Sequence, residues 1–152
     1  MTMAETKNSS AGIDTESQPW LTRFSAQGWI EQSLQELSLA QQAFASRAAP
    51  AAAAALKRAA GMALNGALRT VPREDWGRSY VEHLQALTGD AAVPLAVADA
   101  ARALLAFAPQ PGSIVLLRSP AQDERLLEAA RTVMAHAYAI VNGTTGRLPE
   151  PQ

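Results

Sequence analysis

The chain contains no cysteine and only two histidines among its 152 residues. The absence of cysteine excludes disulfides, thiol catalysis and cysteine-ligated zinc, and two histidines give little basis for a histidine-based metal cage. Charge of one sign is not in excess either, since 13 basic side chains stand against 14 acidic ones. No overall electrostatic field therefore draws the chain to nucleic acid or to an anionic membrane. We expect no metal, no redox role and no other cofactor.

Long hydrophobic runs are missing as well. The longer apolar stretches, 48–56 and 91–98, each contain a proline and are ended by Lys57 and Asp99, well short of a membrane span. Residues 1–18 lack the continuous apolar core of a signal peptide. We therefore expect a cytoplasmic, soluble protein without membrane contact.

What remains is a chain whose residues are 48% hydrophobic, which is enough for the core of one domain. Residues 1–18 offer little apolar surface to offset the entropy lost on ordering, so they are predicted to be a disordered tail. Residues 19–141 are predicted to form one helical-bundle domain, and residues 142–152 a second tail.

Apolar residues recur at helical intervals through most of this domain. Prolines and glycines divide the pattern into five predicted helices, which span residues 29–46, 51–71, 76–88, 94–107 and 120–141. Gly89 is predicted to end the third helix in a left-handed conformation. At the last helix, Ser119 and Gln122 have the spacing of a capping box, and Gly143 can close the C-terminal end.

The run 113–117 is partly β-branched and would by itself indicate a strand. No second predicted strand is available to pair with it. We interpret it as an extended connector that covers the bundle, with a subunit contact as the alternative. The sequence therefore predicts an all-α fold, an up-and-down bundle of four to five helices.

The second predicted helix lies in the most basic part of the chain. Its polar face carries Arg58, Asn65 and Arg69. Arg58 and Arg69 are candidates for phosphate contacts, but no aromatic residue is interleaved with them on that face. An ordinary solvated face is the favoured interpretation.

The last predicted helix carries the order Arg131-x4-His136-x-Tyr138. On a continuous helix Tyr138 lies on the apolar face, Arg131 lies on its flank, and His136 lies about 140° from Arg131 and points away from the core. One helix cannot bring the three groups together. A second subunit or another helix would have to complete a shared site.

Such a set of side chains could support RNA cleavage by internal transesterification. The reaction needs a proton carrier, which histidine provides near neutral pH. It also needs a cation for the charge that builds on phosphate, which arginine provides. It requires no metal.

Residues 29–141 resemble the HEPN (higher eukaryotes and prokaryotes nucleotide-binding) domains, a family of small helical bundles. The resemblance includes the alanine-rich second helix that ends before a proline, the stretch 79–84 that opens the third helix and the stretch 124–130 that opens the last. It also includes the Arg-x4-His-x-Tyr order, which characterises family members paired with a nucleotidyltransferase antitoxin.

This resemblance implies a homodimer with the metal-independent endoribonuclease activity of a toxin. Arg131 and His136 would be the catalytic pair acting on RNA, and Tyr138 would be modified with adenylyl groups by a nucleotidyltransferase antitoxin. Many HEPN domains have lost the motif. The alternative is therefore a non-catalytic HEPN-like module that binds a nucleotide or a partner protein, or a structural adaptor.

His83 lies beside the apolar stripe of the third predicted helix and is interpreted as a half-buried structural histidine. A phosphotransfer role for His83 or His136 is less favoured. Neither histidine is followed closely by the lysine and glycine that are typical of phosphotransfer four-helix bundles. Trp20, Trp29 and Trp76 start or precede helices and are expected to seal the ends of the bundle.

Overall fold

The computed structural model describes residues 19–109 and 119–143, and all regular structure within these ranges is helical. They contain α1 (Ala26–Ala45), α2 (Ala49–Thr70), a 3₁₀ turn (Glu74–Trp76), α3 (Tyr80–Thr88), α4 (Leu95–Ala106) and α5 (Pro120–Asn142). The predicted all-α bundle is thus confirmed for this part of the chain. The predictions for residues 1–18, 113–117 and 144–152 lie outside the described residues.

The long helices run alternately up and down the bundle. A Cβ atom at Gly66, late in α2, would lie 2.8 Å from the carbonyl oxygen of Ala26 at the start of α1, so these helices are antiparallel. Gly66 also lies next to Val141 at the end of α5, which makes α2 and α5 parallel. Lys57, early in α2, donates a hydrogen bond of 2.8 Å to the Phe107 carbonyl just after α4, so α4 runs opposite to α2.

Two helices, α2 and α5, form the centre of the bundle. Helix α2 contacts each of the other four helices, and α5 contacts α1, α2 and α4. Because alanine projects little beyond the backbone, neighbouring helices can approach α2 closely. Its buried alanines are Ala49, Ala52, Ala53, Ala55, Ala59, Ala60, Ala63 and Ala67. None of the helices in the described ranges has the length and apolar character needed to cross a bilayer.

Local sequence signals fix both ends of α5. The Ser119 hydroxyl accepts a hydrogen bond from the Gln122 amide at 3.2 Å, and the Gln122 side chain accepts one from the Ser119 amide at 2.8 Å. This is the predicted capping box. At the other end Gly143 closes the helix, as predicted, and it does so with φ 64° in the left-handed conformation.

Two boundaries near α3 differ from the prediction. The predicted third helix begins at Trp76, whereas the 3₁₀ turn ends there and Gly77, at φ 71°, interrupts the helical backbone. The Glu82 carboxylate accepts a hydrogen bond of 3.0 Å from the Ser79 amide, which completes a capping box and starts α3 only afterwards. Gly89 has φ −107°, so its predicted left-handed conformation is wrong. Its amide instead closes a 3₁₀-type hydrogen bond at the end of α3.

Candidate functional site on the last helix

Arg131 is held by two carboxylates of its own helix. Its Nη1 atom lies 3.0 Å from Glu124 Oε2 and 3.1 Å from Glu128 Oε1. Both glutamates precede Arg131 on the same side of α5, since seven and three residues correspond to about two turns and one turn. The Arg131 side chain remains 29% exposed. The positive charge that a phosphate would need is therefore already balanced by two negative charges.

His136, which the helical pattern predicts to point away from the core, is half-buried. Burial lowers its pKa below the usual value, and the nearby Asp90 carboxylate acts in the opposite direction. Asp90 belongs to the connection between α3 and α4, which thus lies near this side of α5. The periodicity of one helix does not show which connection lies near its polar side, so the partial burial of His136 could not be predicted from the sequence.

Asp90 is the centre of a charged network at this end of the bundle. Its Oδ2 atom accepts a hydrogen bond of 3.0 Å from Arg73, and its Oδ1 atom accepts one of 2.9 Å from the Ala92 amide. These bonds, that of Ala92 first, hold the pKa of Asp90 below its usual value. Arg73 also binds Asp75 at 2.8 and 3.0 Å, and its guanidinium lies 5.5 Å from the Trp76 ring centre. The network joins the segment after α2 to the segment before α4.

Exposed apolar residues occur in both of the chain segments that this network joins. Leu95 at the start of α4 is 71% exposed, and Val71 at the end of α2 is 51% exposed. Arg73 and Asp90, which are adjacent to these segments in the chain, hold the segments together through their ion pair. We refer to the exposed apolar residues here as the Leu95 patch: Val71, Pro72, Ala91, Ala92, Pro94 and Leu95.

Tyr138 is half-buried and packs against the apolar core. The sequence places it on the buried side of α5 together with Met134, which is fully buried, and Val141, which is half-buried. The side of the helix is therefore as predicted, although the tyrosine is less buried than a core residue. A modifying enzyme would meet a side chain that is only partly accessible.

The structure does not bring Arg131, His136 and Tyr138 into one site. Helix α5 is continuous through all three, so the angle of about 140° between Arg131 and His136 is retained. Arg131 is directed to glutamates of α5, and His136 lies near Asp90. From residue 129 to residue 141, no side chain of α5 is exposed. A reacting phosphate would thus meet these groups only at partly covered positions.

Arg58 and Arg69, the candidate phosphate contacts, are both engaged within the chain. Arg58 Nε lies 2.8 Å from Glu36 Oε1 on α1. Arg69 Nη1 donates a hydrogen bond of 2.9 Å to the Phe24 carbonyl oxygen. Between the two arginines, Asn65 is only 1% exposed. The interpretation of this face as an ordinary solvated face is therefore wrong at its centre, which α3 covers.

His83 on α3 is fully buried, and thus more buried than predicted. Its Nδ1 atom lies 2.7 Å from the Trp76 carbonyl oxygen, and its Nε2 atom lies 2.8 Å from the side-chain amide of Asn65. Burial lowers the pKa of His83, while the hydrogen bond to Trp76 acts in the opposite direction. The sequence does not indicate the pairing with Asn65, because the two residues lie on different helices.

Three aromatic rings surround His83. The ring centres of Trp20, Trp76 and Tyr80 lie 6.1, 6.3 and 6.5 Å from that of the imidazole. Tyr80 in turn packs on the backbone of Gly61 in α2, where a Cβ atom would lie 2.3 Å from the ring. The cluster joins α2, α3, the 3₁₀ turn and the residues before α1. Two of the three tryptophans thus pack around a buried histidine.

No group of three or more histidine, aspartate or glutamate side chains suited to a metal ion occurs in residues 19–109 and 119–143. Comparison of the chain with family models, with curated proteins and with solved structures gave no match. The resemblance to the HEPN domains accordingly stays a prediction from the sequence. The choice between a ribonuclease and a non-catalytic module therefore depends on the contacts that these side chains make.

Proposed function

We propose that this protein is a non-catalytic, HEPN-like helical-bundle module that binds a partner protein. The proposal rests on one observation. The side chains predicted to act in catalysis or to contact phosphate all interact with other groups of the same chain. Arg131 is balanced by two glutamates, and His136 is half-buried near Asp90. Arg58 is paired with a glutamate, and Arg69 is bound to a backbone carbonyl. A catalytic role would require several of these contacts to be broken first.

We expect the partner to bind at the Leu95 patch. Extended exposed apolar surfaces on small proteins commonly mark interaction sites. Leu95 and Val71 are the largest exposed side chains of the patch, so the partner should present an apolar segment to them. The ion pair of Arg73 and Asp90 fixes the two parts of the patch relative to each other. A surface that is already ordered loses less conformational entropy on binding.

Leu95→Asp tests this proposal. A carboxylate introduced here would be buried without a partner in the complex, and we expect binding to weaken by about tenfold or more. Tagged wild-type protein should retain a partner from its native cells that Leu95→Asp loses, as quantified by mass spectrometry. Calorimetry with the purified partner should give the same ratio of dissociation constants.

Leu39→Asp is the matched control, because Leu39 is 46% exposed on α1 and lies outside the patch. This variant should bind the partner as the wild type does. Equal binding by the wild type and both variants would contradict the patch. An equal loss in both variants would also contradict it, since the effect would then not depend on position.

A metal-independent endoribonuclease of toxin type is the second candidate. One observation favours it: burial lowers the pKa of His136, so the imidazole is unprotonated near neutral pH, the form that a general base requires. In this proposal Arg131 would leave its ion pairs with Glu124 and Glu128 and bind the phosphate of an RNA substrate. A homodimer would bring Arg131 of one subunit near His136 of the other. Tyr138 would receive adenylyl groups from a nucleotidyltransferase antitoxin.

His136→Ala separates the two candidates. The ribonuclease proposal predicts that expression of the chain alone slows growth, that purified protein cleaves RNA in the presence of a chelator, and that the variant loses about a hundredfold in cleavage rate. Arg131→Ala should lose a similar factor. Arg125→Ala is its control, since Arg125 is an exposed arginine of the same helix. The binding-module proposal predicts no toxicity and no cleavage in any of these proteins.

The gene neighbourhood and the solution mass provide two further tests of the ribonuclease proposal. A small nucleotidyltransferase should be encoded in the adjacent reading frame. Light scattering after gel filtration should give the mass of a dimer. The ribonuclease proposal is wrong if His136→Ala cleaves RNA as fast as the wild type. It is also wrong if light scattering gives the mass of a monomer alone.

A further inference from the structure

The chain contains three asparagines, and two of them, Asn65 and Asn142, are followed directly by glycine. Asparagine is among the thermolabile residues of proteins. Its side-chain amide can be attacked by the backbone nitrogen of the next residue, and glycine hinders this attack least because it has no Cβ and the most permissive backbone. The two Asn-Gly pairs have the same local chemistry, so any difference between them arises from the fold.

Asn142 and Gly143 form the exposed C-terminal end of α5. The Gly143 amide donates a hydrogen bond of 2.7 Å to the Ala139 carbonyl oxygen, and Asn142 Nδ2 donates one of 3.2 Å to the Tyr138 carbonyl oxygen. A Cβ atom at Gly143 would meet nothing within 4 Å. Both bonds belong to the last helical turn, and opening of a helix terminus costs almost no free energy. The reacting groups therefore have both the room and the freedom to approach each other.

Asn65 and Gly66 lie inside α2, where the surroundings are closed. Asn65 is only 1% exposed, and its side-chain oxygen lies 2.8 Å from His83 Nε2. Gly66 packs so closely on α1 that a Cβ atom would lie 2.8 Å from the Ala26 carbonyl oxygen. Movement of this backbone would require α2 to separate from α1 and α3, and opening of a core helix costs up to the global free energy of unfolding.

We propose that Asn142 is a site of spontaneous deamidation that loosens the last turn of α5, whereas the fold protects Asn65. The Gly143 nitrogen loses its proton to hydroxide and forms a bond to Asn142 Cγ. The bond from Cγ to Nδ2 breaks, and the departing nitrogen takes up a proton from water and leaves as ammonia. Water then opens the cyclic imide at either carbonyl carbon. The products are aspartate and isoaspartate, and the net reaction consumes water and releases ammonia.

Either product places a negative charge at the C-terminal end of α5. Unpaired carbonyl groups at a helix C-terminus disfavour negative charge. The new carboxylate also cannot donate the hydrogen bond that Asn142 gives to the Tyr138 carbonyl. Tyr138 and Val141, which pack against the core, belong to the same turn. Loosening therefore extends from the exposed end of the helix to the edge of the core. This modification does not depend on either function proposed above.

Incubation of the folded, full-length protein tests the reaction. The protein is kept at about 37 °C and about pH 8, where the amide proton is lost faster than at neutral pH. Mass spectrometry with electron-transfer fragmentation measures aspartate and isoaspartate at each asparagine. We expect conversion of Asn142 to exceed that of Asn65 by more than about tenfold, because Asn65 reacts only from opened states. In urea, which removes the fold, the two pairs should react at similar rates.

Two variants test the effect on α5. Asn142→Asp imitates one product, and hydrogen exchange in the last turn of α5 should show about two- to fivefold less protection than in the wild type. Asn142→Gln is the matched control, since it keeps an uncharged amide whose longer side chain closes a ring more slowly. It should show neither conversion nor loss of protection. Peptides from the centre of α2 should be unchanged in both variants.

Three results would overturn the proposal. One is folded protein in which Asn142 stays intact while both asparagines react in urea. Another is equal conversion of Asn65 and Asn142 in the folded protein, since the fold would then protect neither. The third is wild-type protection of the last turn of α5 in Asn142→Asp, which would refute the loosening.

Discussion

At Gly61 the side chain of Tyr80 lies directly on the backbone of α2. A Cβ atom here would lie 2.3 Å from Cδ1 and 2.4 Å from Cβ and Cγ of Tyr80. The Tyr80 Cβ cannot move without shifting the first turn of α3. We expect Gly61→Ala to lower the free energy of unfolding by about 1–3 kcal/mol, the usual cost of overpacking. Urea denaturation would measure this change.

Gly89→Ala is the control for this substitution. A Cβ atom at Gly89 would meet nothing within 4 Å, and its φ of −107° is open to any residue. Its unfolding free energy should stay within about 0.5 kcal/mol of the wild type. Equal losses in the two variants would show that the contact with Tyr80 is not the cause.

Single residues were predictable where the local pattern decides their position. Tyr138 lies on the expected side of α5, and the glutamate spacing before Arg131 could have indicated its ion pairs. The surroundings of His83 and His136 were not predictable. Their partners, Asn65 and Asp90, lie on other elements, and one helix's periodicity cannot show which segment covers its polar side.

Among the elements, α5 begins with a capping box whose contribution can be tested. The Ser119 hydroxyl caps the first turn, and without it an amide at the start of a central helix would lose its acceptor. We expect Ser119→Ala to destabilise the protein by about 1 kcal/mol. Ser119→Asp keeps an acceptor and should remain within about 0.5 kcal/mol of the wild type. Urea denaturation would compare the two variants, and an equal loss in both would exclude the cap as the cause.

Helix boundaries were predictable where a local sequence signal marks them, a capping side chain at Ser119 and a glycine at position 143. They were missed between Trp76 and Ser79, where an apolar stripe continues through a break in the backbone. A stripe shows which residues face the core, but it does not show whether the chain between them is helical. The positive φ of Gly77 decides that point, and glycine alone does not specify it.

For the whole molecule, the fold class follows from helical periodicity and from the prolines that divide it. The central position of α2 and α5 does not follow, because it depends on how five helices share their apolar surfaces. The candidate site shows the same limit. The order of Arg131, His136 and Tyr138 is plain in the sequence, whereas their separate surroundings arise only when the bundle is assembled.

The position of α5 also has a consequence for synthesis. Helix α5 follows the other four helices in the chain, yet it fills the centre of the bundle with α2. On the ribosome, α1 and α2 can pair early because their contacts are local in sequence. The side of α2 that α5 will cover stays open until the chain has grown from residue 106 to residue 142, on the order of a few seconds. During that interval the side of α2 that contacts α5 lacks its cover, and a chaperone or an early-bound partner could occupy it before α5 does.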